Sequence, residues 1–115
     1  MRLRSDFFVS ALLRRCALEG LDAVLIRRGA AEAGAIFVQV DDLAGHFRIY
    51  GPAPQSEAVA AGLGRAFALV HKASSLNQEE AATYMAKQCQ FDADLWLVAI
   101  EDRSGDKHEA LLKGD

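Results

Sequence analysis

The chain has 115 residues, enough for one core and too few for two, since a single domain usually takes about 100 to 200 residues. Hydrophobic residues make up 51% and charged residues 25%, which excludes a disordered chain, and a net charge of -3 with a pI near 5.6 argues against a nucleic-acid binder. No stretch approaches the roughly 18 uncharged apolar residues of a membrane helix, so the chain is expected to be soluble.

The opening "MRLRSDFFVSALLRRC" has the basic start and apolar run of a signal peptide, but Asp6 interrupts the run, Arg14 and Arg15 close it, and no cleavage site follows. Ser5 is placed to cap a first helix with Asp6 at its positive end; Phe8, Leu12 and Cys16 then recur with helical period up to a stop at Gly20. Cys16 and Cys89 lie far apart with no partner at ligand spacing, which reads as two reduced, half-buried thiols of a cytoplasmic protein.

Three short β-branched or aromatic runs follow, at 23–28, 35–40 and 46–50. Their links are too short for crossover helices, so they are expected to form an antiparallel meander. Ile36, Val38 and Val40 share one face; Phe47 and Ile49 point one way while His46, Arg48 and Tyr50 point the other. The stretch 50–64 holds both prolines and reads as a long loop with a helical turn after Ser56; "RAFALVH" at 65–71 is a fourth strand. A second helix starts near Asn77, with Glu80 as capping-box partner and Leu76 and Ala81 as a staple. "DLWLVAI" at 94–100 is apolar on both alternate sets and belongs inside the sheet. Residues 103–115 form a polar tail, with an amphipathic turn at 108–113, that is expected to fray.

Motifs exclude more than they assign. "GAAEAG" at 29–34 has the glycine spacing of a phosphate loop but lacks the following Lys and Ser or Thr, and a strand follows it rather than a helix. His46 and His71, the histidines inside expected strands, form neither HxH nor HExxH, so no metal site is read. No nucleophile elbow is present, and Asp92 and Asp94 read as a side-chain turn sooner than as paired catalytic acids. Two adjacent arginines, Arg27 and Arg28, end the first strand; neighbouring strands can bring Arg27 toward His46, Arg48 and Tyr50 to hold a carboxylate or phosphate in two-pronged fashion. Solvated strand-end arginines beside Glu32, Asp41 or Asp42 would carry the same sequence.

At 3–15, 27–40, 50–55 and 91–102, in "LRSDFFVSALLRR", "RRGAAEAGAIFVQV", "YGPAPQ" and "FDADLWLVAIED", the chain resembles a family of small bacterial proteins catalogued only as a domain of unknown function. The resemblance spans about 1–102 and implies a bacterial, cytosolic, single-domain protein; it brings no activity, cofactor or catalytic residue.

These readings combine into one α+β domain over 1–102, with chain order α-β-β-β-β-α-β, a single antiparallel sheet of about five strands, and both long helices on one face. The leading functional expectation is a binding or protein-interaction module acting as a homodimer, because the doubly apolar strand and Phe37 leave apolar area that helices on one face do not cover. The alternative is a small-anion binder or enzyme built on Arg27, Arg28, His46, Arg48 and Tyr50. A third reading docks the basic first helix on an acidic protein partner through Arg14 and Arg15. No cofactor, nucleic-acid partner or membrane association is expected.

Overall fold

The strand that is apolar on both alternate sets takes the interior of the sheet. The computed structural model, which describes residues 3–53, 65–70 and 75–113, contains helix α1 (Ser5–Leu18), strands β1 (Asp22–Arg27), β2 (Ile36–Asp41), β3 (Phe47–Pro52) and β4 (Phe67–Leu69), helix α2 (Gln78–Phe91), strand β5 (Trp96–Glu101) and helix α3 (Lys107–Lys113). The sheet order is β1-β5-β2-β3-β4. The helical turn expected after Ser56, and His71, lie outside the described residues.

The sheet is mixed, which corrects the antiparallel expectation. β2 and β5 run parallel, whereas β1 with β5, β2 with β3, and β3 with β4 are antiparallel. The expected meander is broken because β5 inserts between β1 and β2. Burial explains the insertion. Trp96, Val98 and Ile100 enter one core cluster and Leu97 enters the other, so β5 needs cover on both faces. β1 alternates exposed and half-buried residues along its length, a pattern suited to an edge.

The two long helices lie on opposite faces, a second correction. α1 joins Val9, Leu12 and Cys16 to Ile36, Val38 and Val40, with Leu111 and Leu112 of α3 in the same cluster. α2 brings Ala81 and Met85 to Phe37, Ile49 and Leu97. Because β2 and β5 are apolar on both sides, one layer of helices would leave half of that surface wet, and each large side chain left uncovered forgoes about 1.5–3 kcal/mol.

The second helix starts as its sequence predicts: the Asn77 side chain accepts from the Glu80 N–H and the Glu80 carboxylate accepts from the Asn77 N–H. The first does not. Ser5 is fully buried and its hydroxyl donates to the Gly34 carbonyl at 2.6 Å, while the Ser5 and Asp6 N–H groups donate to the carbonyls of Glu32 and Ala31. A loop carbonyl pair thus serves the helix start in place of a side-chain cap. The segment from 103 is not frayed throughout, since α3 buries His108, Leu111 and Leu112 at helical spacing.

"GAAEAG" has a packing role. A Cβ on Gly29 would meet the carbonyl oxygen of Asp94 and come within 2.6 Å of the Leu95 carbonyl carbon and Trp96 Cδ1; one on Gly34 would meet the same carbonyl oxygen. The two glycines let the β1–β2 connection lie against the start of β5, where the Trp96 indole N–H donates to the Ala30 carbonyl at 2.8 Å.

Candidate functional site

The five residues singled out from sequence fall into two groups. Between Leu25 and Arg27 the β1–β5 register shifts, and Arg27 comes opposite Leu97, whose side chain belongs to the α2 side. Its guanidinium donates to the Ala93 carbonyl at 2.9 Å, and its Nε is buried with no partner among the described residues. Arg28 lies over the Trp96 ring, 5.2 Å from the centroid. Arg48 sits opposite Val40 on β3, with β2 and β5 intervening before β1. Three strand spacings set Arg27 and Arg48 about 14 Å or more apart, so one small anion does not bridge them.

His46, Arg48 and Tyr50 do gather, around Asp102 and the segment that follows it. β3 alternates so that Phe47 and Ile49 face α2 while Tyr50 packs against the α1 and α3 side. There the Tyr50 hydroxyl lies 3.0 Å from His108 Nε2, and His108 Nδ1 lies 2.7 Å from Asp102 Oδ2. Both Asp102 and His108 are fully buried. Asp102 Oδ2 also accepts the His108 backbone N–H at 2.8 Å, and Oδ1 accepts the Ser104 hydroxyl at 2.6 Å. An ionised carboxylate can only accept, so Nδ1 carries the ring proton and, in the neutral ring, Nε2 accepts from Tyr50.

This chain of hydrogen bonds fixes the turn before α3. Gly105, in that turn at φ +80°, presents its carbonyl to Arg48 Nη1 at 3.3 Å; Arg48 also lies 3.6 Å from Glu109 Oε1. Arg48 is thereby held at the rim of a cleft of about 250 Å³, floored by Val40 and walled by Asp42, His46, Ser75, Gly105 and His108. His46 is anchored in its turn: Nδ1 lies 2.9 Å from Asp42 Oδ2, and Asp42 Oδ1 takes the Ala44 and His46 backbone N–H groups.

The electrostatics follow from these contacts. Burial would push the Asp102 carboxyl up, but hydrogen bonds from Ser104 and His108 outweigh it and bring the pKa down to about 2. Burial raises the Tyr50 hydroxyl, opposed by Arg48. The Asp42 carboxyl is lowered, chiefly by the Ala44 N–H, against burial, with His46 adding to the effect. Among the described residues no group of three His, Cys, Asp or Glu is arranged to hold a metal ion. No helix among them is long and apolar enough to cross a membrane.

Asp102 and His108 are not legible as a pair in the sequence because one ends the domain and the other lies within the polar segment that follows it. The available signal was the period of His108, Leu111 and Leu112, which puts the histidine on the apolar side of a short helix.

A family model described as a protein of unknown function, DUF1491, matches residues 3–109. The chain belongs to the DUF1491 family. Among solved structures, protein Atu0922 from A. tumefaciens is 40% identical with a TM-score of 0.79, covering 98% of this chain and 94% of its own. A crystal structure of a DUF1491 protein from Caulobacter crescentus CB15 is 32% identical with a TM-score of 0.74, covering 91% and 90%. An NMR structure of a DUF1491 protein from the same organism has a TM-score of 0.73 at 32% identity, again covering 91% and 90%. No curated protein matches. The DUF1491 match takes in Asp102, His108 and Glu109 as well as β3, so the cleft lies within the family's own span.

Proposed function

We propose that this DUF1491 protein is a small interaction module of the bacterial cytosol that acts as a homodimer through the edge of β1. Phe37 and both faces of β5 are covered, so the apolar area expected from the sequence is not the contact surface. A different surface supports the reading. Among the described residues β1 is an edge strand paired only with β5, and its Val24 and Ile26 are 53% and 56% exposed. An edge with two large apolar side chains is a template for another strand.

Charge favours a second copy as the occupant. Asp22 sits directly opposite Glu101 at one end of the edge, a like-charge pair, while Arg27 and Arg28 stand at the other. Among the described residues neither acid is in an ion pair. An antiparallel copy about a twofold axis at Val24 would set Val24 against Val24 and bring the acidic end of each chain to the basic end of the other.

Light-scattering mass at micromolar concentration tests this. The expected result is a dimer that Val24→Lys converts to a monomer; Asp22→Arg and Arg28→Asp should each weaken it and together restore it. A monomeric wild-type protein would end the proposal.

A further inference from the structure

We infer that the cleft beside β3 binds a small oxyanion, a carboxylate or phosphate, between Arg48 and His46. The cleft stands apart from β1, with β5 and β2 between, so this site does not depend on the dimer.

Three observations carry the inference. First, the acids at the cleft are already engaged. Asp42 accepts two backbone N–H groups and the His46 ring, and Asp102 accepts from Ser104 and twice from His108. The donors that remain toward the cleft are the outer face of the Arg48 guanidinium, the Ser75 hydroxyl and, in the imidazolium form, the second nitrogen of the His46 ring, whose first is on Asp42. Second, Arg48 is held in place without being consumed. Its contacts are a long hydrogen bond to the Gly105 carbonyl at 3.3 Å, a hydrogen bond to the Tyr50 hydroxyl and a 3.6 Å approach to a Glu109 carboxylate that is 43% exposed. An exposed pair of that length is worth little, so a ligand oxyanion displaces Glu109 at small cost and gains a charge-assisted bond. Third, the volume of about 250 Å³ lies below the roughly 300–1,000 Å³ of drug-sized sites, which selects a small anion over a nucleotide.

Asp102 and His108 act here as positioning residues: by fixing the turn through Ser104 they place the Gly105 carbonyl that orients Arg48. Their test separates them from the ligand contacts.

The experiment is an amide NMR titration of the full chain with inorganic phosphate and, separately, acetate, at constant ionic strength set with chloride. The expected result is a saturable shift centred on Val40, His46, Arg48 and Gly105 with at least one of the two anions; which one saturates assigns the class. Arg48→Gln, with an unchanged melting temperature, should weaken binding by 10-fold or more, and His46→Ala by less. Asp102→Asn should weaken binding and also broaden the Gly105 resonance before any anion is added. Shifts that stay linear with both anions, or that centre elsewhere, or saturable binding untouched by Arg48→Gln, would overturn the site.

Discussion

Asp102 and His108 are joined twice: one carboxylate oxygen accepts both the backbone N–H, at 2.8 Å, and the ring Nδ1, at 2.7 Å, of the same histidine. The pair therefore starts α3 and seats it on the sheet, where Tyr50 closes the far side of the ring. Asp102→Ala would strand a buried imidazole, a backbone N–H and the Ser104 hydroxyl together. Each buried polar group left unsatisfied costs about 1–3 kcal/mol, and urea unfolding should report a loss of roughly 3 kcal/mol or more for the three. A double variant, Asp102→Ala with His108→Leu, should recover part of it, since an apolar replacement removes the unsatisfied ring. A single-variant loss under 1 kcal/mol (roughly the value of an ordinary surface contact) would mean that α3 is held by its leucines alone.

The same carboxylate fixes the acid side of the stability profile. Its folded pKa of about 2 lies below the ordinary value of 3.8. Protons therefore bind the unfolded chain first as pH falls, so the stabilisation is fully present above about pH 4 and is lost on the way to pH 2. The shift corresponds to something on the order of 2 kcal/mol. Urea midpoints measured at intervals from pH 6 to pH 2.5 should fall more steeply for the wild type than for Asp102→Asn, which has no such group to titrate. Parallel curves would assign the acid sensitivity to other carboxylates, Asp6 and Asp42 among them, whose pKa values are also lowered.

Gly29 is required by packing. An alanine there meets backbone atoms of Asp94 and Leu95 and the Trp96 ring, and backbone cannot swing aside as a flexible side chain would. Overpacking of this kind costs about 1–3 kcal/mol, and Gly29→Ala should lie at the upper end. Because the clash includes Trp96 Cδ1, the fluorescence of this single tryptophan should shift in the folded variant. Gly45→Ala provides the contrast: nothing lies within 4 Å of its Cβ, so only the strain of a φ of +92° opposes it, at about 1 kcal/mol. Equal losses at the two positions would count against the close-approach reading.

The two free cysteines should respond differently to a thiol reagent. Both remain unpaired thiols, yet Cys16 is fully buried between α1 and the sheet, not half-buried as its sequence context suggested, while Cys89 near the end of α2 is partly exposed. Burial also raises the Cys16 thiol, which lowers the thiolate fraction that reacts. Native protein should thus titrate about one thiol quickly and the second only as fast as it unfolds. Two fast thiols would show that α1 opens from the sheet without global unfolding.

What the sequence disclosed follows from how local each determinant is. The capping box at Asn77 and Glu80, the alternation in β3 and the interior character of β5 depend on neighbours a few residues away, and all are present in the fold. The position of β5 between β1 and β2 depends on a pairing some 60 residues apart in sequence, Ile36 with Trp96, and periodicity carries no such information. The placement of the helices on opposite faces is hidden for the same reason: Phe37 is visible in the sequence as apolar on the second face, but its partner Met85 is not identifiable without the topology. At the cleft, His46, Arg48 and Tyr50 were legible as one side of a strand, whereas the bulge that turns Arg27 away, and the return of the tail through Asp102 and His108, arise from tertiary contacts.

Ser5 and Arg65 offer the sharpest test of how α1 is anchored. The serine hydroxyl donates to the Gly34 carbonyl and accepts from Arg65 Nη2 at 2.7 Å; the same guanidinium reaches the Leu3 carbonyl at 3.1 Å and lies over the Phe8 ring, 5.5 Å from its centroid. Arg65 is only 5% exposed, so its charge needs hydrogen-bonding partners, of which these are some. Ser5→Ala removes one acceptor for the guanidinium and one donor for Gly34, and should cost about 1–3 kcal/mol. Arg65→Met should cost a similar amount through its lost hydrogen bonds while keeping much of the packing on Phe8. If the two act through one network, the double variant loses less than the sum of the singles by about 0.5–3 kcal/mol. A strictly additive result would mean that the Ser5–Gly34 contact and the Arg65 contacts to Leu3 and Phe8 seat α1 independently of each other.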